Sequence, residues 1–319
     1  MKQINLLITG SSGLIYSNFI RNIIKNHSEY KISSIDNIHN IKNINTIYSN
    51  KSHQFYLADV CDNHILDRIF EISKPDIVIH GADLNFGSYD ELFKTNVTGT
   101  KNVIEACVKH KINKFIYTSS DKVYGSLKND SDPSKKEDSE LMSQNVYSST
   151  KIAGELMTGL AHKRHGLNYN ILRLCNNYGP RQMRKNLIPS IVANIIEQKE
   201  VNIYNKGENQ HEWLHVQDTV DAIKTILDKG NDNEIYNITS NSEFSNLEVF
   251  NEACNILGKG NDLLKFTPAP NNEYNFRYSM DNTKLKNLGW KPNFKFKGVD
   301  GGLAHSINWL ENNYHWFLK

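Results

Sequence analysis

In the first 174 residues, short apolar runs alternate with longer amphipathic stretches, and few folds have this order of elements. Most of the runs are rich in branched and aromatic residues, and they span residues 4–9, 31–36, 53–59, 76–82, 114–120 and 168–174. Strands separated by helical stretches of about 10–15 residues or more are typical of βαβ units around a parallel sheet. The pattern therefore predicts a doubly wound, Rossmann-like α/β fold.

Charge and cysteine spacing argue against several other classes of protein. Lys and Arg total 37 against 35 for Asp and Glu, a net charge of +2, so no basic surface for nucleic acid is expected. Four cysteines lie far apart without a Cys-x-x-Cys pair, which disfavours a zinc ribbon or a disulfide scaffold and favours the cytoplasm. No run of about 18 apolar residues occurs, so no membrane span is expected. The opening residues are interpreted as a first strand, not as a signal peptide.

A glycine-containing turn, TGSSGLIYS at residues 9–17, follows the first predicted strand and opens a helix. Gly10 would make the tight turn, and Gly13 would let backbone N–H groups approach a pyrophosphate. Asp36 ends the second strand, where a carboxylate accepts hydrogen bonds from ribose hydroxyls, so the pattern favours NAD over NADP. The third glycine of this fingerprint would fall at Tyr16, whose ring must push the helix outward or point elsewhere.

Tyr147 and Lys151 stand four residues apart in a stretch with a helical pattern, on one face of the helix. A nearby ammonium favours phenolate, so we expect Lys151 to lower the pKa of Tyr147 toward the range of a general base. The alternative is an ordinary surface Tyr and Lys, because this spacing is common by chance.

The ordered set of motifs resembles the extended short-chain dehydrogenase/reductases. It includes the glycine turn, Asp36, TNVTGTKNVIEAC (95–107), TSSDKVYG (118–125) and Tyr-x-x-x-Lys. Four later segments are similar to those of nucleotide-sugar 4,6-dehydratases, namely residues 173–182, 186–189, 206–218 and 277–292. The resemblance implies an NAD-binding domain at 1–174 plus roughly 212–240, and a smaller C-terminal nucleotide-sugar lobe at 175–211 and 241–319. It also implies a homodimer through helices around 88–110 and 146–165.

The same resemblance implies roles for individual residues. Residues expected to catalyse are Ser120, Asp121, Lys122, Tyr147 and Lys151. Residues expected to contact NAD are Gly10, Ser12, Gly13, Leu14, Ile15, Asp36, Asn37, Asp59, Val60, Ser119, Tyr147 and Lys151. Residues expected to contact or support the nucleotide sugar are Asn96, Asn176, Leu187, Ile188, Pro189, Tyr204, His211 and Arg277.

Two departures from the family pattern concern the substrate. His211 stands where an Arg usually precedes the Trp of WLHV, so the diphosphate clamp is thinner, with Arg181 or Lys185 as candidate replacements. Segment 80–96 is shorter than in dTDP-glucose enzymes. The missing residues would leave room for a bulky C2 group such as N-acetyl.

Asp121 followed by Lys122 is the pair that points to a reaction. A 4,6-dehydratase needs an acid for the C6 hydroxyl and a base for the C5 proton. Asp121 is the expected acid, and Lys122 stands where dTDP-glucose enzymes have a Glu as the C5 base. Asp followed by Lys resembles C5-inverting UDP-N-acetylglucosamine 4,6-dehydratases and CDP-glucose 4,6-dehydratases. The alternative is a solvated Lys122 after a strand.

We therefore predict a hydro-lyase that recycles NAD, acting on UDP-N-acetylglucosamine with inversion at C5. The alternatives are a UDP- or dTDP-glucose 4,6-dehydratase that retains C5, a UDP-hexose 4-epimerase, and a non-catalytic NAD-binding scaffold. An epimerase needs no acid at position 121. A scaffold needs neither Asp121 nor the Tyr147 and Lys151 pair.

Overall fold

A computed structural model describes residues 3–38, 50–268 and 276–316, and its largest element is a parallel sheet. The strands of the chain are β1 (Ile4–Thr9), β2 (Tyr30–Asp36), β3 (His53–Leu57), β4 (Ile77–His80), β5 (Lys114–Ser120), β6 (Tyr169–Leu174), β7 (Asn176–Tyr178), β8 (Val201–Tyr204), β9 (Gln210–His215), β10 (Glu234–Ile238), β11 (Glu243–Ser245), β12 (Leu264–Thr267) and β13 (Arg277–Tyr278). The large sheet has the order β3-β2-β1-β4-β5-β6-β10, and all its neighbouring strands run parallel. The predicted α/β class is confirmed.

Helices cover both faces of this sheet, because its strands are apolar on both sides. The helices are α1 (Leu14–Asn26), α2 (Asn63–Ser73), α3 (Tyr89–Leu92), α4 (Thr100–Lys109), α5 (Val146–His165), α6 (Leu187–Ile196), α7 (Val216–Lys229), α8 (Asn246–Leu257), α9 (Thr283–Asn287) and α10 (Gly302–Asn312). Leu6 and Ile8 of β1 pack with α1 and α7, whereas Leu7 packs with α2 and α4. No helix in the described ranges has both the length and the apolar character needed to cross a bilayer.

A second, smaller set of elements has its own core. Strands β11, β9 and β13 form one sheet, with β7 also paired to β9, and β12 pairs with β8. Apolar residues of α6, α8 and α10, such as Ile191, Phe250 and Leu303, are buried together with Trp213. This separate core is what a two-lobed chain requires, and the predicted lobe boundaries stay a prediction.

The strand order reverses beside β1, since β2 lies on one side of it and β4 on the other. Ligands of open parallel sheets bind outside the carboxyl ends of the strands at such a point. The loops after β1, β4 and β5 therefore meet at the place where a site is expected.

Candidate active site

A cavity of about 830 Å³ opens at the carboxyl ends of β1, β4 and β5. Its other wall comes from the segment after β6 and from the start of α6. Many of the residues predicted to form the site line it, namely Gly10, Ser12, Gly13, Leu14, Ile15, Ser119, Ser120, Lys122, Tyr147, Asn176 and Leu187. The fold thus brings residues predicted to contact NAD into one cavity with residues predicted to catalyse or to contact the nucleotide sugar.

The turn after β1 has the geometry that a dinucleotide pyrophosphate requires. Gly10 has φ +68°, and a Cβ there would overlap the backbone of Gly81. Helix α1 starts directly after Gly13 without a side-chain cap. Its first N–H groups therefore face the cavity and can receive a phosphate at the positive end of the helix.

Tyr16 is accommodated by Gly81, which resolves the departure from the glycine fingerprint. The Tyr16 ring is 3% exposed and lies where a Cβ at residue 81 would be. Its hydroxyl forms a short hydrogen bond with Thr118 Oγ1. Burial raises the pKa of this phenol. The ring thus points along the sheet edge, toward β4 and β5.

Acidic and amide side chains lie at or just after the ends of β2 and β3, next to the glycine turn and outside the cavity lining. Asp36 accepts hydrogen bonds from the N–H groups of Ser12 and Ile38, both at 2.8 Å. Burial raises the pKa of Asp36, against these two bonds. Asn37 Nδ2 donates to Asp59 Oδ2 at 3.3 Å. The donor and acceptor set suits the hydroxyls of a ribose.

Val60 and Ser119 are two further residues predicted to contact the cofactor. Val60 is buried and lies beyond the cavity wall. Ser119 lines the cavity, and its Oγ donates to Glu155 Oε1 at 2.5 Å. Glu155 in turn pairs with Arg173 at 2.6 Å. Ser119 is therefore fixed by a buried ion pair, and only one face of it is open to a ligand.

Tyr147 and Lys151 converge on one carboxylate oxygen, that of Asp83. Tyr147 Oη donates to Asp83 Oδ2 at 2.9 Å, and Lys151 Nζ donates to the same oxygen at 3.3 Å. Burial and the Asp83 charge raise the pKa of Tyr147 above its ordinary value. Burial alone would lower the pKa of Lys151, but Tyr117 and Asp83 raise it. In the ligand-free chain the net pKa of Tyr147 is therefore raised, and the expected shift toward the range of a general base is wrong.

Sequence reasoning missed Asp83, although a signal was present. The residue is the third after β4, at the edge where the carboxyl ends of parallel strands meet. A polar residue at that place is a candidate for a site in any doubly wound sheet.

The Asp121 and Lys122 pair lies in a 3₁₀ turn, Asp121–Tyr124, directly after β5. Ser120 Oγ donates to Asp121 Oδ1 at 2.9 Å, and Lys122 Nζ lies 3.4 Å from Asp121 Oδ2. The Lys122 ammonium also lies 3.3 Å above the centre of the Tyr278 ring. Burial lowers the pKa of Lys122, against the attraction of Asp121. Lys122 lines the cavity, whereas Asp121 is buried behind Ser120.

Asn96 supports the site from within a π-helix, Phe93–Gly99. Its side chain accepts from Leu84 N and donates to Leu84 O, both at 2.8 Å. It also donates to Thr150 Oγ1 at 3.0 Å. These three bonds tie the loop after β4 to α5, and the supporting role of Asn96 stays a prediction.

Of the run Leu187–Pro189, only Leu187 faces the cavity. Ile188 is 1% exposed in the core of the smaller sheet, and Pro189 is also buried. Successive helical residues point about 100° apart, so α6 cannot present all three to one ligand. Tyr204 ends β8 with an exposed ring that does not reach the described cavity wall. The predicted contacts of Ile188, Pro189 and Tyr204 need correction.

His211 and Arg277 are also placed differently from the prediction. His211 stacks on Tyr278, and burial lowers its pKa to about 3, so it is neutral. Arg277 is held by Glu243 at 2.5 Å and by the Asp132 carbonyl at 2.8 Å. Neither residue lines the cavity. The cations that line it, besides Lys122, are Arg181 and Lys185 in the described part of the chain.

Comparisons with known proteins agree with this geometry. The NAD dependent epimerase/dehydratase family matches residues 6–239. The dTDP-glucose 4,6-dehydratase of Streptomyces niveus is 31% identical over 326 residues, covering 98% of this chain and 94% of that enzyme. The structure of dTDP-glucose 4,6-dehydratase from Bacillus anthracis in complex with NAD has a TM-score of 0.90 and 30% identity, covering 99% of both chains. A UDP-glucose 4-epimerase from Thermotoga maritima, with UDP-glucose, has a TM-score of 0.88 and 25% identity, covering 98% of this chain and 100% of that one.

These relatives are named for glucose nucleotides and not for UDP-N-acetylglucosamine, so they do not support that predicted substrate. The dehydratases among them are consistent with the predicted hydro-lyase, while an epimerase shares the fold. The resemblance to nucleotide-sugar 4,6-dehydratases is confirmed. The chain belongs to the NAD dependent epimerase/dehydratase family.

Proposed function

We propose that the chain is an NAD-dependent 4,6-dehydratase of nucleotide-activated hexoses. The observation that carries the proposal is one cavity wall that presents Ser120, Lys122 and Tyr147 near the glycine turn. NAD, when bound, supplies the acceptor for the C4 hydride and the donor that returns it to C6, so none is consumed. The NAD bound in the Bacillus anthracis structure supports this cofactor.

In this proposal Tyr147 removes the proton of the sugar O4 hydroxyl while Ser120 hydrogen-bonds the same oxygen. Asp121 protonates the departing C6 hydroxyl, which leaves as water. Because Asp121 lies behind the wall, a protonated Asp121 would reverse the 2.9 Å bond and donate to Ser120 Oγ, while the Ser120 proton passes to the departing oxygen. Burial lowers the pKa of Lys122, which favours the neutral amine that would remove the C5 proton, and a solvent proton would return to C5 as the hydride returns to C6.

Arg181 and Lys185 are proposed to hold the diphosphate, since both line the cavity. Arg181 Nη1 donates to Asn18 Oδ1 at 2.8 Å, which fixes the guanidinium against α1. Arg277 is less suited, because Glu243 already neutralises it. Asn176 and Leu187 line the same wall and would contact the nucleotide.

The sugar has two candidates. Glucose carried on dTDP or UDP is supported by the dTDP-glucose relatives. UDP-N-acetylglucosamine with inversion at C5 is favoured by one observation, the buried Lys122 amine beside Asp121.

We further propose that residues 1–174 and about 212–240 bind NAD, and that 175–211 and 241–319 bind the nucleotide sugar. The separate cores of the two sheets support this division. The four cysteines are free thiols, which supports a reducing compartment, the cytoplasm.

The test is to incubate the purified chain with dTDP-glucose, UDP-glucose and UDP-N-acetylglucosamine in D₂O and to identify products by NMR. A 4-keto-6-deoxy sugar with solvent deuterium at C5 supports the dehydratase, and its C5 configuration separates the two candidates. An isomer formed without loss of water indicates an epimerase. Three unchanged sugars contradict both enzyme readings. Tyr147→Phe is the control, because it removes the group that takes the O4 proton.

A further inference from the structure

Asp83 is the charged residue in contact with both Tyr147 and Lys151, and no role in the reaction above uses it. Both contacts end on one oxygen, Oδ2, at 2.9 and 3.3 Å. The Asp83 side chain is 31% exposed and lines the cavity, whereas the Lys151 side chain is 3% exposed. A ligand in the cavity can therefore reach Asp83.

The backbone on both sides of Asp83 is fixed. Thr9 Oγ1 accepts from Gly81 N at 3.3 Å and from Ala82 N at 3.2 Å. Asn96 binds both backbone groups of Leu84, at 2.8 Å each. Four backbone groups on the two sides of Asp83 are thus hydrogen-bonded, so the carboxylate is positioned by the fold.

We propose that Asp83 is a positioning residue that holds the Tyr147 proton and the Lys151 ammonium in the free enzyme and sets the pH at which Tyr147 becomes a base. The proposal rests on the role of Tyr147 in the proposed function. A carboxylate accepts a hydrogen bond from a phenol but repels a phenolate, so deprotonation breaks the 2.9 Å bond and places two negative charges side by side.

Other ionisable groups around Tyr147 do not replace this effect. Lys151, on the same helix, favours the phenolate but is itself paired with Asp83. Tyr117 on β5 and Asp121 in the 3₁₀ turn also oppose a negative charge on Tyr147. His80, near Lys151, is neutral because burial lowers its pKa to about 3. Asp83, by contrast, accepts a hydrogen bond from the Tyr147 hydroxyl.

The test is Asp83→Asn, which keeps the shape, removes the charge and supplies an N–H₂ donor for a phenolate. Phenolate absorbance is titrated in the ligand-free protein, and the same titration of the matching Tyr147→Phe protein is subtracted to isolate Tyr147. We expect the Tyr147 midpoint to fall by about one pH unit or more. Asp83→Glu, which keeps the charge, should titrate like the parent, and the exposed Asp300→Asn is the matched control.

An Asp83→Asn protein whose Tyr147 titrates no lower than in the parent overturns the proposal. Circular dichroism at each pH confirms that the variant is folded, and Asp83→Ala, expected to shift in the same direction, replaces it if it is not. The titration needs neither sugar nor cofactor, so an absence of turnover would contradict the proposed function and leave this result valid. Where turnover is measured, the acid limb of kcat/KM should move to lower pH by the same amount.

Discussion

Tyr16 and Gly81 behave as a matched pair, although they stand 65 positions apart in the sequence. The Tyr16 ring occupies the space that a Cβ at residue 81 would take. A single substitution on either side therefore acts on the β1 and β4 edge, where the glycine turn is built. Neither residue could be explained from its own surroundings in the sequence.

Gly81→Ala should destabilise the protein by about 1–3 kcal/mol, because the new methyl overlaps a buried ring. Urea denaturation measures the loss. Gly159→Ala on α5 is the matched control, since a Cβ there meets nothing within 4 Å, and it should be neutral or stabilising by up to about 1 kcal/mol. In a Tyr16→Ala background the cost of Gly81→Ala should shrink; an unchanged cost would mean that the ring is not the obstacle.

Glu212 predicts a pH dependence of stability. It is 1% exposed, its Oε2 accepts from Met280 N at 2.9 Å, and burial raises its pKa from 4.5 to about 8. Between pH 4.5 and about 8 the unfolded chain loses this proton and the folded chain keeps it, so stability falls as pH rises through that window and levels off above it.

Glu212→Gln should remove this fall. The free energy of unfolding of the variant should therefore rise relative to the parent by up to a few kcal/mol between pH 4.5 and pH 8. Chemical denaturation at a series of pH values measures the difference. The exposed Glu311→Gln serves as the control and should run parallel to the parent. If the curves of stability against pH were parallel for the parent and for Glu212→Gln, Glu212 would ionise normally in the folded chain.

At the scale of elements, α5 carries the site because its first turn holds Tyr147. Asn145 caps this helix: its side chain accepts from Ser148 N at 2.8 Å, and Ser148 Oγ accepts from Asn145 N at 3.2 Å. Helix α8 begins with the same arrangement, built from Ser245 and Glu248, away from the cavity. The two helices therefore offer a matched comparison.

Asn145→Ala and Ser245→Ala should each cost about 1 kcal/mol of stability, through loss of a helix cap. Only Asn145→Ala should also lower turnover, because fraying of the first turn of α5 moves Tyr147 relative to the cavity. Thermal denaturation and the dehydratase assay, run on both variants, measure the two effects. Equal turnover in both variants would mean that the cap does not position Tyr147.

The large sheet and its helices could be predicted because their signals are local: run length, branched residues and turn glycines. The π-helix Phe93–Gly99 has no local signal, and its Asn96 bonds the loop after β4, which is distant in the sequence pattern. The pairing of Arg277 with Glu243 joins β13 to β11, and the sequence pattern does not predict it either. The missed contact of Asp83 with α5 has the same cause.

At the scale of the whole molecule, exposed apolar side chains lie on the segments that were predicted to form a dimer. Leu156 and Leu160 stand four apart on α5 and are 66% and 47% exposed. Tyr89 of α3 and Phe93 of the π-helix, also four apart, are 68% and 45% exposed. The segments that carry them pack against α5. Large apolar side chains in neighbouring rows form a surface of the kind that another protein covers.

We therefore expect the chain to be a homodimer that buries this face, in line with the dimer predicted around 88–110 and 146–165. Leu156→Asp would place a charge in the middle of the interface, where an unpaired carboxylate is costly, and should shift the protein from dimer to monomer in sedimentation experiments. Val299→Asp, at a site 88% exposed and on a different segment, is the control and should leave the dimer intact. Since α5 also carries Tyr147 and Lys151, a variant that no longer dimerises should also lose turnover. A parent protein that sediments as a monomer at micromolar concentration would contradict the dimer, and the exposed leucines would then need another explanation.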